Sequence, residues 1–276
     1  MSRHCVASKN IRLLNATASI LKANPVTSPA IQIFPLPGLP DVQPGDDLTE
    51  MIAAAVRARN LAIETGDIFV VAQKIVSKAE GRIVRLDSIA PSERAAQWAR
   101  DWGKDARVIE LVLRESKRIV RMERGVIIAE THHGFVCANA GVDLSNAQEG
   151  TAILLPLDSD ASARALKTRL GNALSADIGI IVADTFGRPW REGLVNVALG
   201  VAGLAPLIDY RGEKDTSGKV LQATIIALAD ELASAAELVM GKSDRVPVAI
   251  IRGVPARTPS GTGRDLIRPA EKDLFR

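Results

Sequence analysis

Apolar positions along this chain follow two rhythms, short unbroken runs and helical spacings, and the two alternate without a regular repeat. The runs predict strands over 31–36, 67–76, 125–136, 178–183 and 246–251. Helical spacing predicts helices over 48–63, 92–102, 106–115, 161–174, 194–202 and 224–240, the first introduced by the capping residues Asp46 and Asp47. This order is mixed and not a clean βαβ series. It predicts an α+β fold of mixed sheets and helices in two interlocked sub-structures, neither Rossmann nor P-loop. No internal repeat or low-complexity linker marks a boundary inside it. Residues 1–28 read as a poorly ordered N-terminal extension that ends in a breaker-rich stretch at Pro25 and Pro29, and 29–276 as the folded body.

Composition narrows the function classes. With 276 residues, the chain is near the upper size of a single hydrophobic core. Hydrophobic residues at 47% and charged ones at 24% are ordinary for a globular enzyme, whereas aromatics at 3% are too few for stacking single-stranded nucleic acid. A formal charge of +3, spread among acids and not gathered in one arm, suits acidic small molecules better than DNA or RNA. Two cysteines, Cys5 and Cys137, cannot build a disulfide framework, and the three histidines offer no structural zinc spacing. No secretory signal or membrane span is legible, so the expected location is the cytoplasm.

Chemistry concentrates in four places. The run IGIIVA closes on Asp184 and Thr185, so a buried strand would deliver a carboxylate and a hydroxyl to its sheet edge, with Arg188 and Arg191 just beyond. Hard cations such as Mg²⁺ take such oxygens together with phosphates, which the arginines could hold; the same pair also suits a helix cap. Asp143 and Asn146 follow Gly141 in a tight loop, as a metal carboxylate and an amide reader or as a plain Asx turn. Gln73, Lys74 and Lys78 stand at a strand terminus, where the lysines either reach phosphates or form a solvated basic edge. Gly241 reads first as a helix C-cap, and phosphate or base contacts of the segment around it are the minor reading.

Other features are weaker. Gly212 to Lys219 is not a Walker motif, because five residues separate its glycines and Val220 replaces the metal-binding hydroxyl. Ser260-Gly261-Thr262-Gly263 reads as a mobile loop. His132 and His133, adjacent on a strand, would face opposite ways and could not chelate together. Cys137 reads as a buried small hydrophobe and not as a nucleophile.

In their order, these elements resemble one family, the coenzyme F-420-0:L-glutamate (or gamma-glutamyl) ligases. The resemblance runs from 31 to 254 through FPLPGLPDVQPGDDL, VSKAEGR, NAGVDLSN, IVADTFGRPWREG, ADELASAAELVMGK and VPVAIIRG. It implies a family-specific ligase fold and divalent metal ligands at Asp143, Asp184 and Thr185. It also implies GTP contacts at Leu39, Pro40, Asp41 and Val42, at Gln73, Lys74, Lys78 and Asn146, and at Met240, Gly241, Lys242, Ser243, Asp244, Arg245, Val246 and Pro247. Mg²⁺ or Mn²⁺ is expected, with K⁺ as a further candidate ion.

Two departures stand out. Gln73 and Lys74 replace a Ser-Thr pair of some members, and Lys242 stands where some have an acid that ligates a second metal. An ammonium cannot ligate, which puts that second site in doubt and leaves Asp244 as a possible substitute. The implied reaction transfers the γ-phosphoryl group of GTP to the carboxylate of the deazaflavin precursor F-420-0. L-glutamate then attacks the acyl phosphate, and further γ-linked glutamates can follow. Lys78, Arg188 and Arg191 are assigned to catalysis, the two arginines from position alone. A homodimer is expected, without nucleic-acid or membrane partners. The alternatives are an amide ligase with another carboxylate acceptor and a non-catalytic GTP- or deazaflavin-binding protein.

Overall fold

The computed structural model describes residues 30–145, 147–255 and 260–274; the expected N-terminal extension and Asn146 lie outside the described residues. Chain order gives β1 (Gln32–Pro35), α1 (Leu48–Ala58), β2 (Ile68–Ala72), α2 (Gln73–Ala79) and β3 (Ile83–Arg85). Next come α3 (Glu93–Trp102), α4 (Ala106–Glu115), β4 (Ser116–Glu123), β5 (Val126–Thr131), β6 (Val136–Ala138) and β7 (Thr151–Ile153). The remainder is α5 (Ser159–Leu174), β8 (Gly179–Phe186), β9 (Val195–Ala202), β10 (Ile208–Asp209), β11 (Ile225–Ile226), α6 (Leu228–Met240) and β12 (Val248–Arg252).

The central sheet has the order β1-β12-β2-β8-β9, parallel only between β2 and β8. Strand alternation sorts its side chains between two cores. Phe69, Val71, Ile180, Val182, Val248 and Ile250 pack under α1 and α5 on one face. Ile68, Val70, Ile181, Ala183, Ala249 and Ile251 pack against Ala229, Leu232, Ala233 and Ala236 of α6 on the other. Both faces are covered, which is why the strands read as unbroken apolar runs. Fully buried Asp67, at the entry to β2, is held by Arg252 of β12 through hydrogen bonds of 2.8 and 2.6 Å.

Between α2 and α5 the chain builds a second sub-structure. Here α3 and α4, the antiparallel sheet β4-β5-β6 and the pair β3-β7 enclose their own core around Ile109, Val112, Ile127, Ala129, Ala152 and Leu154. The predicted α+β class with mixed sheets holds, and the arrangement is neither P-loop nor Rossmann.

Several element boundaries differ from expectation. The predicted helix 194–202 is strand β9, the antiparallel partner of β8. Apolar residues on both faces of VNVALGVA hide the two-residue period, and Gly200 is required there because a Cβ would lie 2.1 Å from the Ser159 carbonyl oxygen. The strand predicted over 67–76 ends at Ala72, and Gln73–Ala79 is helical. The 125–136 run breaks into β5 and β6, so His132 and His133 sit in a turn, with Nε2 atoms 2.9 Å from the Arg114 carbonyl and 2.8 Å from that of Pro156. The last helix begins only at Leu228, because Ile225–Ile226 pairs with β10.

The expected mobile loop around Gly261 and Gly263 is instead packed. Thr262 and Asp265 form a capping box, the Gly263 N–H donates to buried Asp160 at 2.6 Å, and a Cβ at Gly263 would meet the Leu199 carbonyl oxygen at 2.5 Å. Its glycines serve close approach. The segment from Gly212 to Lys219 is a turn between β10 and β11, in keeping with its failure as a Walker motif.

Candidate functional site

The buried run Ile180–Ala183 carries β8 through the sheet and emerges at Asp184 and Thr185. Successive strand residues face opposite ways, so this pair straddles the sheet instead of presenting both oxygens on one side. Asp184 turns to the side of Asp143 and Lys74, whose charges both act on it. Thr185 turns to α6.

On the Asp184 side, Gly141 (φ 73°) bends the chain where a Cβ would strike Leu155 at 2.6 Å. Asp143 is then fixed by backbone hydrogen bonds of 2.9 and 2.8 Å with Ile153. Its carboxylate accepts from the Ser145 N–H at 2.6 Å and from the Ser145 hydroxyl at 3.1 Å, and pairs with Lys74 Nζ at 2.8 Å. The Asx turn is therefore present, and it leaves the Asp143 carboxylate facing Lys74. Burial opposes the charge of Asp143, but Lys74 and Ser145 hold its carboxyl below the ordinary range. Burial pushes Asp184 upward; the Thr185 amide counters this, and the nearby Asp143 charge raises it further. Cys137 is buried close by, and its thiol is pushed up to about 12 by burial and by Asp184.

On the Thr185 side, β9 sets Asn196 directly opposite Thr185. The Thr185 hydroxyl donates to Asn196 Oδ1 at 2.6 Å, and Asn196 Nδ2 donates to Glu237 Oε2 at 2.9 Å. Lys242 Nζ donates to Thr185 Oγ1 and lies 3.1 Å from Glu237 Oε1 and 3.5 Å from Asn196 Oδ1.

Two carboxylates and a hydroxyl at one strand end are hard oxygen donors, and the mutual repulsion of Asp143 and Asp184 is what a divalent cation would relieve. Asp143 and Asp184 thus offer two hard oxygen donors to one divalent cation, whereas the Thr185 hydroxyl is engaged with Asn196 and Lys242 on the other side of the strand. Among the described residues, no group of three His, Cys, Asp or Glu side chains converges, so a cage built wholly from such ligands is not what this site offers.

The remaining expected residues fall into three sets. Lys78, one turn beyond Lys74, pairs with Asp41 Oδ1 at 2.8 Å, and the Gln43 amide donates to Asp41 Oδ2 at 3.0 Å. The Lys78 hydrogen bond holds the Asp41 carboxyl low against slight desolvation, and Arg245 contributes through its charge. Loop 39–42 and loop 241–247 therefore meet beside α2. Leu39 is half-buried, Pro40 exposed and Val42 buried in the core. Met240 is buried; Gly241 (φ 61°) caps α6 under Asp244; Ser243 is exposed; Val246 and Pro247 are half-buried. The Pro247 carbonyl accepts from the Ala72 N–H at 2.9 Å, fastening this loop to the end of β2.

Gln73 stands apart, buried, with its amide donating to the Ser77 hydroxyl and at 3.3 Å to the Leu154 carbonyl. Arg188 and Arg191 are exposed in the β8–β9 connection, and neither ion-pairs with a described residue. Asp244, the expected substitute acid, lies over Gly241; the acid beside Thr185 is Glu237. Asn196 and Glu237 are the site residues that sequence reasoning missed. Reading 194–202 as a strand would have placed Asn196 against Thr185, and Glu237 lies on the α6 face that the motif ending in MGK already marked.

Comparison with known proteins bears on the same segments. The family described as F420-0:Gamma-glutamyl ligase matches residues 38–253. The coenzyme F420:L-glutamate ligase of Methanothermobacter thermautotrophicus is 46% identical over 250 residues, covering 89% of this chain and 99% of that protein. The protein of that name from Methanopyrus kandleri is 47% identical over 253 residues, covering 90% and 98%. That of Methanocaldococcus jannaschii is 46% identical over 231 residues, covering 83% and 90%. A family match across most of the chain and identity near one half over nearly whole relatives have one consequence: the chain belongs to the F420-0:gamma-glutamyl ligase family.

Proposed function

We propose that the protein is a GTP-dependent ligase that joins L-glutamate to the deazaflavin precursor F-420-0 through an acyl phosphate and can extend the product by γ-linked glutamates. The reading rests on family membership and on one observation above all. Asp143, Asp184 and Lys74 meet at the end of β8, with the Thr185 hydroxyl on the other side of the strand, beside the loops that Asp41, Lys78 and Arg245 bring together. Mg²⁺ or Mn²⁺ bound by Asp143 and Asp184 would neutralise phosphoryl oxygens.

In this reading, Lys78 and Arg245 supply cationic charge for the nucleotide phosphates, with Asp41 holding Lys78 in position until phosphate competes for it. Lys74, anchored by Asp143 and Ser145, carries charge toward the transferring group. Arg188 and Arg191, on the exposed β8–β9 connection, would act on bound anions only by turning inward from solvent. The acceptor carboxylate oxygen attacks the γ-phosphorus and GDP leaves. The amine of glutamate next attacks the acyl carbon, the acyl C–O bond breaks, and phosphate departs with the former carboxylate oxygen. A homodimer is part of the proposal. The proposed site of action is the cytoplasm, and no helix among the described residues is long and apolar enough to cross a membrane.

The oxygen bookkeeping gives the test. F-420-0 labelled with ¹⁸O in its carboxylate should transfer one label into each phosphate released with GTP and glutamate. Unlabelled phosphate formed alongside glutamylated product would rule out the acyl phosphate.

A further inference from the structure

The arrangement on the α6 side of β8 goes beyond this reaction. We infer that the oxygens of Thr185, Asn196 and Glu237 form a second cation site, which this chain fills with the ammonium group of its own Lys242. The inference deepens the proposed metal reading of Asp143 and Asp184 and rests on it only for the first ion.

Hydrogen-bond directions define the pocket. The Thr185 hydroxyl spends its hydrogen on Asn196 Oδ1 at 2.6 Å, which leaves its lone pair for a cation. The Asn196 amide nitrogen is committed to Glu237 Oε2 at 2.9 Å, so the amide oxygen is the atom turned to Thr185 and Lys242. The Ser234 hydroxyl donates to the Asn196 carbonyl at 2.8 Å and pins the β9 backbone to α6. The Thr185 hydroxyl hydrogen and one of the two Asn196 amide hydrogens are therefore spent inside the ring, and what faces Lys242 is oxygen lone pairs plus the Glu237 charge. Such a pocket selects a positive ion.

Lys242 reaches it from an element of its own. Gly241, at φ 61° and ψ 178°, ends α6 and turns the chain so that the next side chain doubles back toward Glu237. An ordinary surface ion pair would involve Glu237 alone. Here the ammonium also contacts Thr185 on β8 and lies 3.5 Å from Asn196 on β9. Its side chain is 62% exposed, so packing of its stem does not dictate where the head sits; the oxygens do. Three N–H donors on a compact charge match three oxygens. Its charge also acts on Asp184, which couples the two cation places across the strand.

The test counts ions with Mn²⁺ alone, using the full chain, equilibrium dialysis and elemental analysis. Lys242→Gln replaces the ammonium with an amide oxygen donor and should bind one more Mn²⁺ per protomer than the unaltered protein. Lys242→Arg, which keeps the charge, should bind the same number as the unaltered protein. An unchanged count in Lys242→Gln, or an added ion in Lys242→Arg, would overturn the assignment. The absolute count in the unaltered protein reports separately on the first site: none bound would reject the Asp143–Asp184 metal reading while leaving the increment from Lys242→Gln interpretable.

Discussion

Asp184 sits where its own charge is disfavoured, in a half-buried position beside Asp143, and that tension is useful only if a cation resolves it. Asp184→Asn should leave the fold intact, with an unchanged or slightly higher melting temperature, and lower glutamylation at least about a hundredfold, beyond what loss of an outer-shell partner would cause. Parallel thermal unfolding and turnover assays check both halves; full turnover would remove Asp184 from the metal site. The neighbouring Cys137 is held inert. With its pKa raised to about 12, the thiol is protonated throughout the neutral range, and thiolate appears only as pH climbs toward that value. At pH 8 about one molecule in ten thousand carries the reactive form, so iodoacetamide should label the Cys137 peptide only after denaturation, as peptide mass mapping would show. Residue-level legibility was uneven. Asp143, Asp184 and Thr185 announced themselves as acids and a hydroxyl at the ends of apolar runs, whereas Asn196 lay in a stretch read as helix and Glu237 looked like any surface acid of an amphipathic helix.

Helices were legible where one face was polar, whereas strand β4 (Ser116–Glu123), exposed along one face, was missed. Helices α3 and α4, which Ser92 and Asp105 cap, were legible because their apolar stripes contrast with solvent. Strand β9 failed because both of its faces are covered, by α5 and by α6, leaving only length and neighbours to distinguish strand from helix. Strands β3, β7, β10 and β11, of three residues or fewer, were missed because so short a run carries no period. The tight packing of α5 on β9 has its own consequence. Gly200→Ala drives a methyl group into the Ser159 carbonyl and should cost about 1–3 kcal/mol by overpacking, or more where the backbone cannot yield. Urea denaturation measures this, and a variant as stable as the parent would mean that α5 shifts freely. The same strand carries Asn196, so the shift should also weaken the Lys242 pocket.

At the scale of the whole molecule, the site exists because two cores meet. The central sheet supplies Asp184 and Thr185, the second sub-structure supplies Asp143, and α2 links them through Lys74 and through the buried Gln73 amide bonded to Leu154. That convergence could not be read from spacing, since Asp143 and Asp184 are far apart in sequence and no local pattern says which loops share a sheet edge. What the sequence did carry was the order of motifs, and the family match over residues 38–253 agrees with it. Sequence alone therefore reached the family and singled out Asp143, Asp184 and Thr185 as candidates, while the straddling of β8 and the contacts of Lys242 required the fold. The central claim is tested most directly by mass spectrometry of the full chain incubated with F-420-0, L-glutamate, Mn²⁺ and either GTP or ATP. Products heavier by one or more glutamyl units with GTP, and none with ATP, are the predicted result. Equal product with ATP, or no glutamylated product while GTP is consumed, would contradict it.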